Sequence, residues 1–267
     1  MTNRLTPLES AYPRRTRPLL AVGLVVGDPF LEATGRYLDA LVDGGTDVIE
    51  LIMPFSDPLF HGPVLRRACE RAMSEKVSWD DIEGLIANFR RSNDETPLMV
   101  TSYFNRVLAR GEGECTAGLA AAGADGLMVI DLPREEAKSL ELNAEQQELS
   151  LIQAVAPTTR LARFHEVIKG ARGFLLWTGH SGVEAAMEPA VFQQQLREFR
   201  KHTTLPLVVS HNVESGEEAA QIVRAAHGVL VSSAVAWLIE GGGPQVEQHL
   251  ERFVSDLRTS VDAAGEV

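Results

Sequence analysis

The first chemistry the chain offers is a carboxylate inside an apolar strand. Asp47-Val48-Ile49-Glu50-Leu51-Ile52-Met53 is built of β-branched and long apolar residues with Glu50 in its middle. A Pro- and Gly-punctuated loop follows, Pro54-Phe55-Ser56-Asp57-Pro58-Leu59-Phe60-His61-Gly62-Pro63, and then an amphipathic helix starting near Val64. A low-dielectric surrounding disfavours the ionised form and raises a carboxyl pKa. A carboxyl group near neutrality suits general acid–base work. The alternative for Glu50 is a strand-end ion pair with a Lys or Arg.

The elements that must hold this group follow a repeating grammar. Strands are predicted over Leu19–Val26, the Glu50 segment, Pro97–Tyr103, Gly126–Ile130, Leu149–Val155, Gly173–Trp177, Leu205–Ser210 and Gly228–Ser232. Each is a short, largely apolar run of strand length. Helical spacing is read between them, over Leu31–Asp43, Val64–Ser74, Trp79–Arg91 with Ser78 as N-cap, Glu112–Ala122, Glu135–Glu148, Arg160–Lys169, Pro189–Lys201 and Gly216–Ala226. An apolar segment around Ala234–Ile239 and an amphipathic helix from Gln245 to about Val261 close the chain. Eight strands in strict alternation with helices imply a parallel sheet with right-handed crossovers, and at this length a closed (β/α)8 TIM barrel. An open doubly wound sheet is the alternative, but the first strand ends without a G-x-G-x-x-G fingerprint. Three junctions echo one another, Gly44-Gly45-Thr46-Asp47, Ala122-Gly123-Ala124-Asp125 and Ala225-Ala226-His227-Gly228. Residues 1–267 are read as a single domain, with 1–18 an arm or short outer helix.

In a barrel the active site forms where the strands end, at their carboxyl side. Those ends carry Asp28, Glu50, Asp57, His61, Tyr103, Asn105, Asp131, Thr158, Thr178, His180, Ser181, His211, Asn212, Ser232 and Ser233. Glu50 and Asp131 are the carboxylates on strands or immediately after them. His61, His180 and His211 could bind an anion as imidazolium groups, or form a metal site with a carboxylate, but the spacings match no short ligand motif. No metal and no cofactor is therefore expected. Trp177 and Phe60 suit a pocket wall or packing.

Glu50-Leu51, Pro54-Phe55-Ser56-Asp57-Pro58-Leu59 and Gly62-Pro63 together resemble the signature of the tryptophan synthase alpha subunit family, gap-free over that stretch. The resemblance runs from about Leu19 to the final helix. Gly27-Asp28-Pro29 is similar to the family's first loop, Tyr103-x-Asn105 to its Tyr-x-Asn, and Asp131-Leu132-Pro133-x-Glu135-Glu136 to its Asp-x-Pro-x-Glu-Glu. Gly182 aligns with the glycine ending the mobile sixth loop, and Ser232-Ser233-Ala234 with Gly-Ser-Ala at the phosphate site. The resemblance implies retro-aldol cleavage of indole-3-glycerol phosphate to indole and glyceraldehyde 3-phosphate. It also implies that Glu50 protonates indole C3, and that loop amides and a helix N-terminus grip the phosphate.

Departures cluster on these same functions. His61 stands where the family has its second active-site carboxylate, which holds the indole N–H. A neutral imidazole could still accept that hydrogen bond. Phe174 replaces a Tyr, Ser210-His211-Asn212-Val213 replaces Gly-Phe-Gly-Ile, and Gly23 replaces a bulky residue and is expected to open room in the indole pocket. The catalytic expectation is Glu50 and His61. Substrate contacts are expected from Tyr103, Asp131, Phe174, Trp177, His180 and His211, and phosphate contacts from Gly182, Asn212, Ser232 and Ser233. Two alternatives stand beside an unaltered lyase: a repurposed homologue acting on another substrate, and a weakly catalytic barrel acting through a beta-type partner subunit that docks on the 54–58 loop.

Bulk composition narrows the classes. The 267 residues are 45% hydrophobic with a net charge of -12, which suits a globular core and argues against nonspecific nucleic-acid or anionic-membrane binding. The two cysteines, Cys69 and Cys115, have no metal spacing. With no signal peptide or membrane-length apolar run in evidence, a reducing cytoplasm is expected.

Overall fold

The computed structural model describes Leu8 and residues 17–58, 61–178, 189–211 and 213–265. Its strands are β1 (Leu19–Val25), β2 (Val48–Ile52), β3 (Leu98–Ser102), β4 (Gly126–Val129), β5 (Ser150–Leu151), β6 (Gln153–Val155), β7 (Leu175–Thr178), β8 (Leu207–Ser210) and β9 (Gly228–Val231). Every pairing is parallel, and the spatial order is β5-β4-β3-β2-β1-β9-β8-β7-β6. The two ends of that order, β5 and β6, are halves of one segment interrupted at Ile152, so the sheet closes on itself. The eight expected strands are thus present, the fifth in two pieces, and the architecture is a TIM barrel.

Helices α1 (Leu31–Asp43), α2 (Pro63–Ala72), α3 (Trp79–Phe89), α4 (Phe104–Arg110), α5 (Glu112–Ala122), α6 (Lys138–Gln146), α7 (Leu161–Val167), α8 (Pro189–Arg200), α9 (Gly216–Val223), α10 (Ser233–Gly241) and α11 (Val246–Gly265) complete the described chain. The expected Ser78 cap is present as a capping box with Asp81, and Ser215 with Glu218 forms another. Helix α4 has no counterpart in the sequence reading. It follows β3 after the single residue Tyr103, and it starts where the Asp131 carboxylate accepts the Phe104 N–H at 2.7 Å.

Alternation along the strands separates two cores. Val22, Leu24, Ile49, Leu51, Val100, Leu127, Val209 and Val229 face outward and pack under the helices. Leu19, Ala21, Val48, Met99, Met128, Ile152, Phe174, Leu176, Val208 and Leu230 fill the barrel. Leu8 is buried among the second group. Of the stretch read as an arm or short outer helix, Leu8 thus packs into the inner core.

The three echoing junctions share one bond. Asp47 accepts the Leu20 N–H at 2.9 Å, Asp125 that of Leu98 at 2.8 Å, and His227 Nδ1 that of Leu207 at 2.9 Å. Each acceptor ties the start of its own strand to the start of a neighbour. Asp47 and Asp125 also pair with Arg258 at 2.7 Å and Arg90 at 2.8 Å. Neutrality suits the third acceptor, and burial holds the His227 imidazole down at about 4.

Candidate functional site

Glu50 shares the inward face of β2 with Val48, so its carboxyl lies inside the barrel, and the residue is 4% exposed. Its partner is Thr101 on the inward face of β3, whose hydroxyl donates to Oε1 at 2.5 Å. Two residues beyond Glu50 on β2, Ile52 and its β1 partner Val25 pack against Leu65, Ala68, Cys69 and Ala72 of α2 and Ala236 of α10. That apolar cluster keeps the carboxyl dry. Burial pushes Glu50 up to about 7, against the opposing pull of the Thr101 hydroxyl. No charged side chain appears among the causes of that shift, so the ion-pair alternative for Glu50 does not describe this site.

Gly23, opposite Glu50 on β1, has a different part from the one expected of it. A Cβ there would stand 2.4 Å from Glu50 Oε2 and 3.1 Å from Ser232 Cβ. The room left by the missing side chain is taken up by the Glu50 carboxyl. Ser232, at the end of β9, crowds the same point, so the N-terminus of α10 adjoins Glu50. Ser232 is 8% exposed and makes no side-chain cap bond to α10, and Ser233 is half-buried beside it.

His61 is buried at 9% exposure, with its backbone N–H donated to the Pro58 carbonyl at 3.1 Å. Its Nδ1 has no hydrogen-bond partner among the described residues. Burial holds the imidazole down at about 4, so it is neutral at physiological pH. Tyr103 meets His61 edge-on, with ring centroids 6.1 Å apart, and stacks on Phe55 at 4.3 Å. The 54–58 loop is therefore joined to the strand ends through an aromatic contact.

The other expected site residues scatter. Asp131 is exposed and committed to the first turn of α4. Phe174 does not reach the mouth, because it precedes β7 and belongs to the inner core that includes Leu8. Trp177 departs further. It has the outward parity of β7, packs T-shaped against Phe192 of α8 at 4.9 Å, and its indole N–H points to Gln195 at 3.4 Å. It is helix packing, since a one-residue step along a strand reverses the face. His211 is exposed at the end of β8, 6.1 Å from the Phe192 ring. His180, Gly182, Asn212 and Phe60 lie outside the described residues. Asp28 is held by Arg71 through bonds of 2.7 and 2.8 Å, a structural role.

The sequence reading missed Thr101. A Thr inside an apolar strand is ordinary, and the available signal was its alternation with Tyr103, already a candidate. Among the described residues no group of three or more His, Cys, Asp or Glu side chains could hold a metal ion. No helix among them is long and apolar enough to cross a membrane.

A family model described as tryptophan synthase alpha chain matches residues 12–264. The tryptophan synthase alpha chain of Laribacter hongkongensis (strain HLHK9) is 34% identical over 263 residues, covering 98% of this chain and all of that protein. The crystal structure of tryptophan synthase subunit alpha from Legionella pneumophila str. Paris superposes with a TM-score of 0.91 at 29% identity, covering 97% of this chain and all of the other. A chain of the tryptophan synthase complex from Pyrococcus furiosus gives 0.83 at 26% identity, covering 91% of this chain and 99% of that one.

Proposed function

Because the chain belongs to the tryptophan synthase alpha chain family, we propose that Glu50 is the acid–base group of its reaction and that His61 receives the ring N–H of the substrate. The chain is a carbon–carbon lyase that splits indole-3-glycerol phosphate into indole and glyceraldehyde 3-phosphate, and it forms a complex with a beta subunit. The observation that carries the assignment of Glu50 is its carboxyl, buried inside the barrel with a pKa of about 7.

At neutral pH such a group is present in both forms. Protonated Glu50 gives its proton to indole C3, which turns the ring into an iminium cation at N1. The bond from C3 to the glycerol chain then breaks, its electron pair restores the aromatic ring, and the hydroxyl on the departing carbon loses its proton to the Glu50 carboxylate. One proton leaves Glu50 and one returns, so the enzyme is regenerated. His61, neutral and with Nδ1 unpartnered among the described residues, accepts the ring N–H as a dipole rather than a charge. Tyr103 and Phe55 form an aromatic wall next to it.

The phosphate is bound at Ser232, Ser233 and the first turn of α10, whose N–H groups and dipole favour an anion. Gly182 and Asn212 are the further phosphate contacts of this reading, and His211 a substrate contact. The 54–58 loop is the docking point for the beta subunit, and the reaction takes place in the cytoplasm.

A second reading, a related substrate in place of indole-3-glycerol phosphate, is favoured by the lack of a fixed negative charge at His61. One experiment separates them. The purified protein is mixed with indole-3-glycerol phosphate, with and without a beta subunit, and indole release is followed. Wild type releases indole and Glu50→Gln does not; equal rates in the two would remove Glu50 from the mechanism, and no release from wild type in either arm would favour the second reading.

A further inference from the structure

We propose that Thr101 is a positioning residue for Glu50 and that, with Gly23, it decides which carboxyl oxygen presents the transferable proton. The proposal rests on the reading of Glu50 as the acid. Its basis is geometric. Thr101 is 1% exposed, on the same inward face of β3 as Met99 and Tyr103, and the one hydrogen bond its hydroxyl makes to a described side chain goes to Glu50 Oε1 at 2.5 Å. An oxygen that accepts a hydroxyl proton acts as the carbonyl oxygen of the neutral acid. The proton is thereby directed to Oε2.

Oε2 lies over the bare backbone of Gly23, where even a methyl group would stand 2.4 Å away. Across the register, Gly23 pairs with Glu50 and Thr101 with Ile52, so one neighbour strand supplies a donor and the other supplies space. The carboxyl has two free torsions beyond Cβ, and a dry pocket does not by itself choose among their rotamers. A hydroxyl on one side and a gap on the other do.

The groups facing Glu50 from its surroundings are few. β1 presents Gly23, β3 presents Met99 and Thr101, and the end of β9 presents Ser232. The nearest titratable side chains named at the mouth are His61 and Tyr103, and neither is among the causes of the Glu50 shift. The Thr101 bond is the one side-chain contribution that favours the ionised form. Losing the donor therefore raises the pKa of Glu50 as well as loosening it.

The test is the pH profile of indole release by Thr101→Val, Thr101→Ser, Gly23→Ala and Glu50→Gln, each measured with the beta subunit present. Valine keeps the shape of threonine without the hydroxyl, and serine keeps the hydroxyl. The expected result for Thr101→Val is a kcat roughly tenfold lower with KM within about twofold, and an alkaline limb moved up by about one pH unit. Thr101→Ser returns both toward wild type. Gly23→Ala lowers kcat by a similar factor while leaving the limb in place. Its new methyl meets Glu50 Oε2 first and Ser232 Cβ at 3.1 Å, so its melting temperature is measured beside its kcat, and a folded Gly23→Ala enzyme with wild-type kcat would overturn the part given to the gap. A Thr101→Val enzyme with the wild-type limb and kcat, beside an inactive Glu50→Gln, would overturn the positioning role and leave Glu50 as the acid. If Glu50→Gln is fully active, the assignment of Glu50 falls and the proposal falls with it.

Discussion

Replacing Glu50 with Gln keeps the shape of the side chain and removes its charge, which makes the buried carboxyl measurable without any substrate. In the fold Glu50 titrates at about 7, against an ordinary value of 4.5. Each tenfold change in acid dissociation is worth about 1.4 kcal/mol, so ionising Glu50 in place costs about 3 kcal/mol more than ionising it in the unfolded chain. The sign follows from which state holds the proton more tightly. Here the fold does, so its contribution is complete below pH 4.5 and is lost as pH rises through 7. His61 acts in the opposite sense, because burial lowers it from 6.5 to about 4. Its contribution is complete above pH 6.5 and is lost as pH falls through 4. In wild type the two slopes largely offset one another between about pH 4.5 and 6.5. Glu50→Gln uncovers the His61 slope. The variant should match wild type near pH 4, gain stability up to about pH 6.5, and exceed wild type by about 3 kcal/mol at pH 8. Urea unfolding at half-unit pH steps reads this directly. Parallel stability curves for the two proteins would refute a dry, proton-retaining Glu50.

Two further substitutions address other parts of the molecule. His61→Asp supplies the negative charge that the developing ring cation lacks, and should raise kcat for indole-3-glycerol phosphate roughly tenfold while pushing the Glu50 limb to higher pH, since a second carboxylate opposes ionisation; an unchanged or lower kcat would show that the charge at this position is not limiting. Asp47→Asn keeps an acceptor for the Leu20 N–H but leaves Arg258, whose side chain is 9% exposed, without its buried counter-charge. Unfolding in urea should show a loss of about 3 kcal/mol, and a loss below about 1 kcal/mol would mean that Asp262, which also meets Arg258, suffices alone.

Much of this molecule is legible in one dimension. The alternation of short apolar runs with helical spacing determined the barrel, because parallel strands buried on both faces must be apolar throughout and must be joined by crossovers. Glu50 stood out for the same reason, as a charge in a run that had no use for one. His61 stood out against a family motif. The echo of Asp47, Asp125 and His227 was visible as a pattern, though the bond they share was not.

What tertiary structure alone decided is which residues meet, and on which side of the wall. Trp177 and Leu176 are neighbours in sequence, yet one packs under α8 and the other fills the barrel, because strand parity has a period of two and the register of β7 was not known beforehand. Phe174 sits too early on its strand to reach the mouth. Gly23, Glu50, Thr101 and Ser232 come from four strands or strand ends scattered between residues 23 and 232, and no spacing rule links them. The closure of the sheet brings β9 against β1 and β1 against β2, and only that contact turns a glycine, a threonine and a serine into the surroundings of an acid.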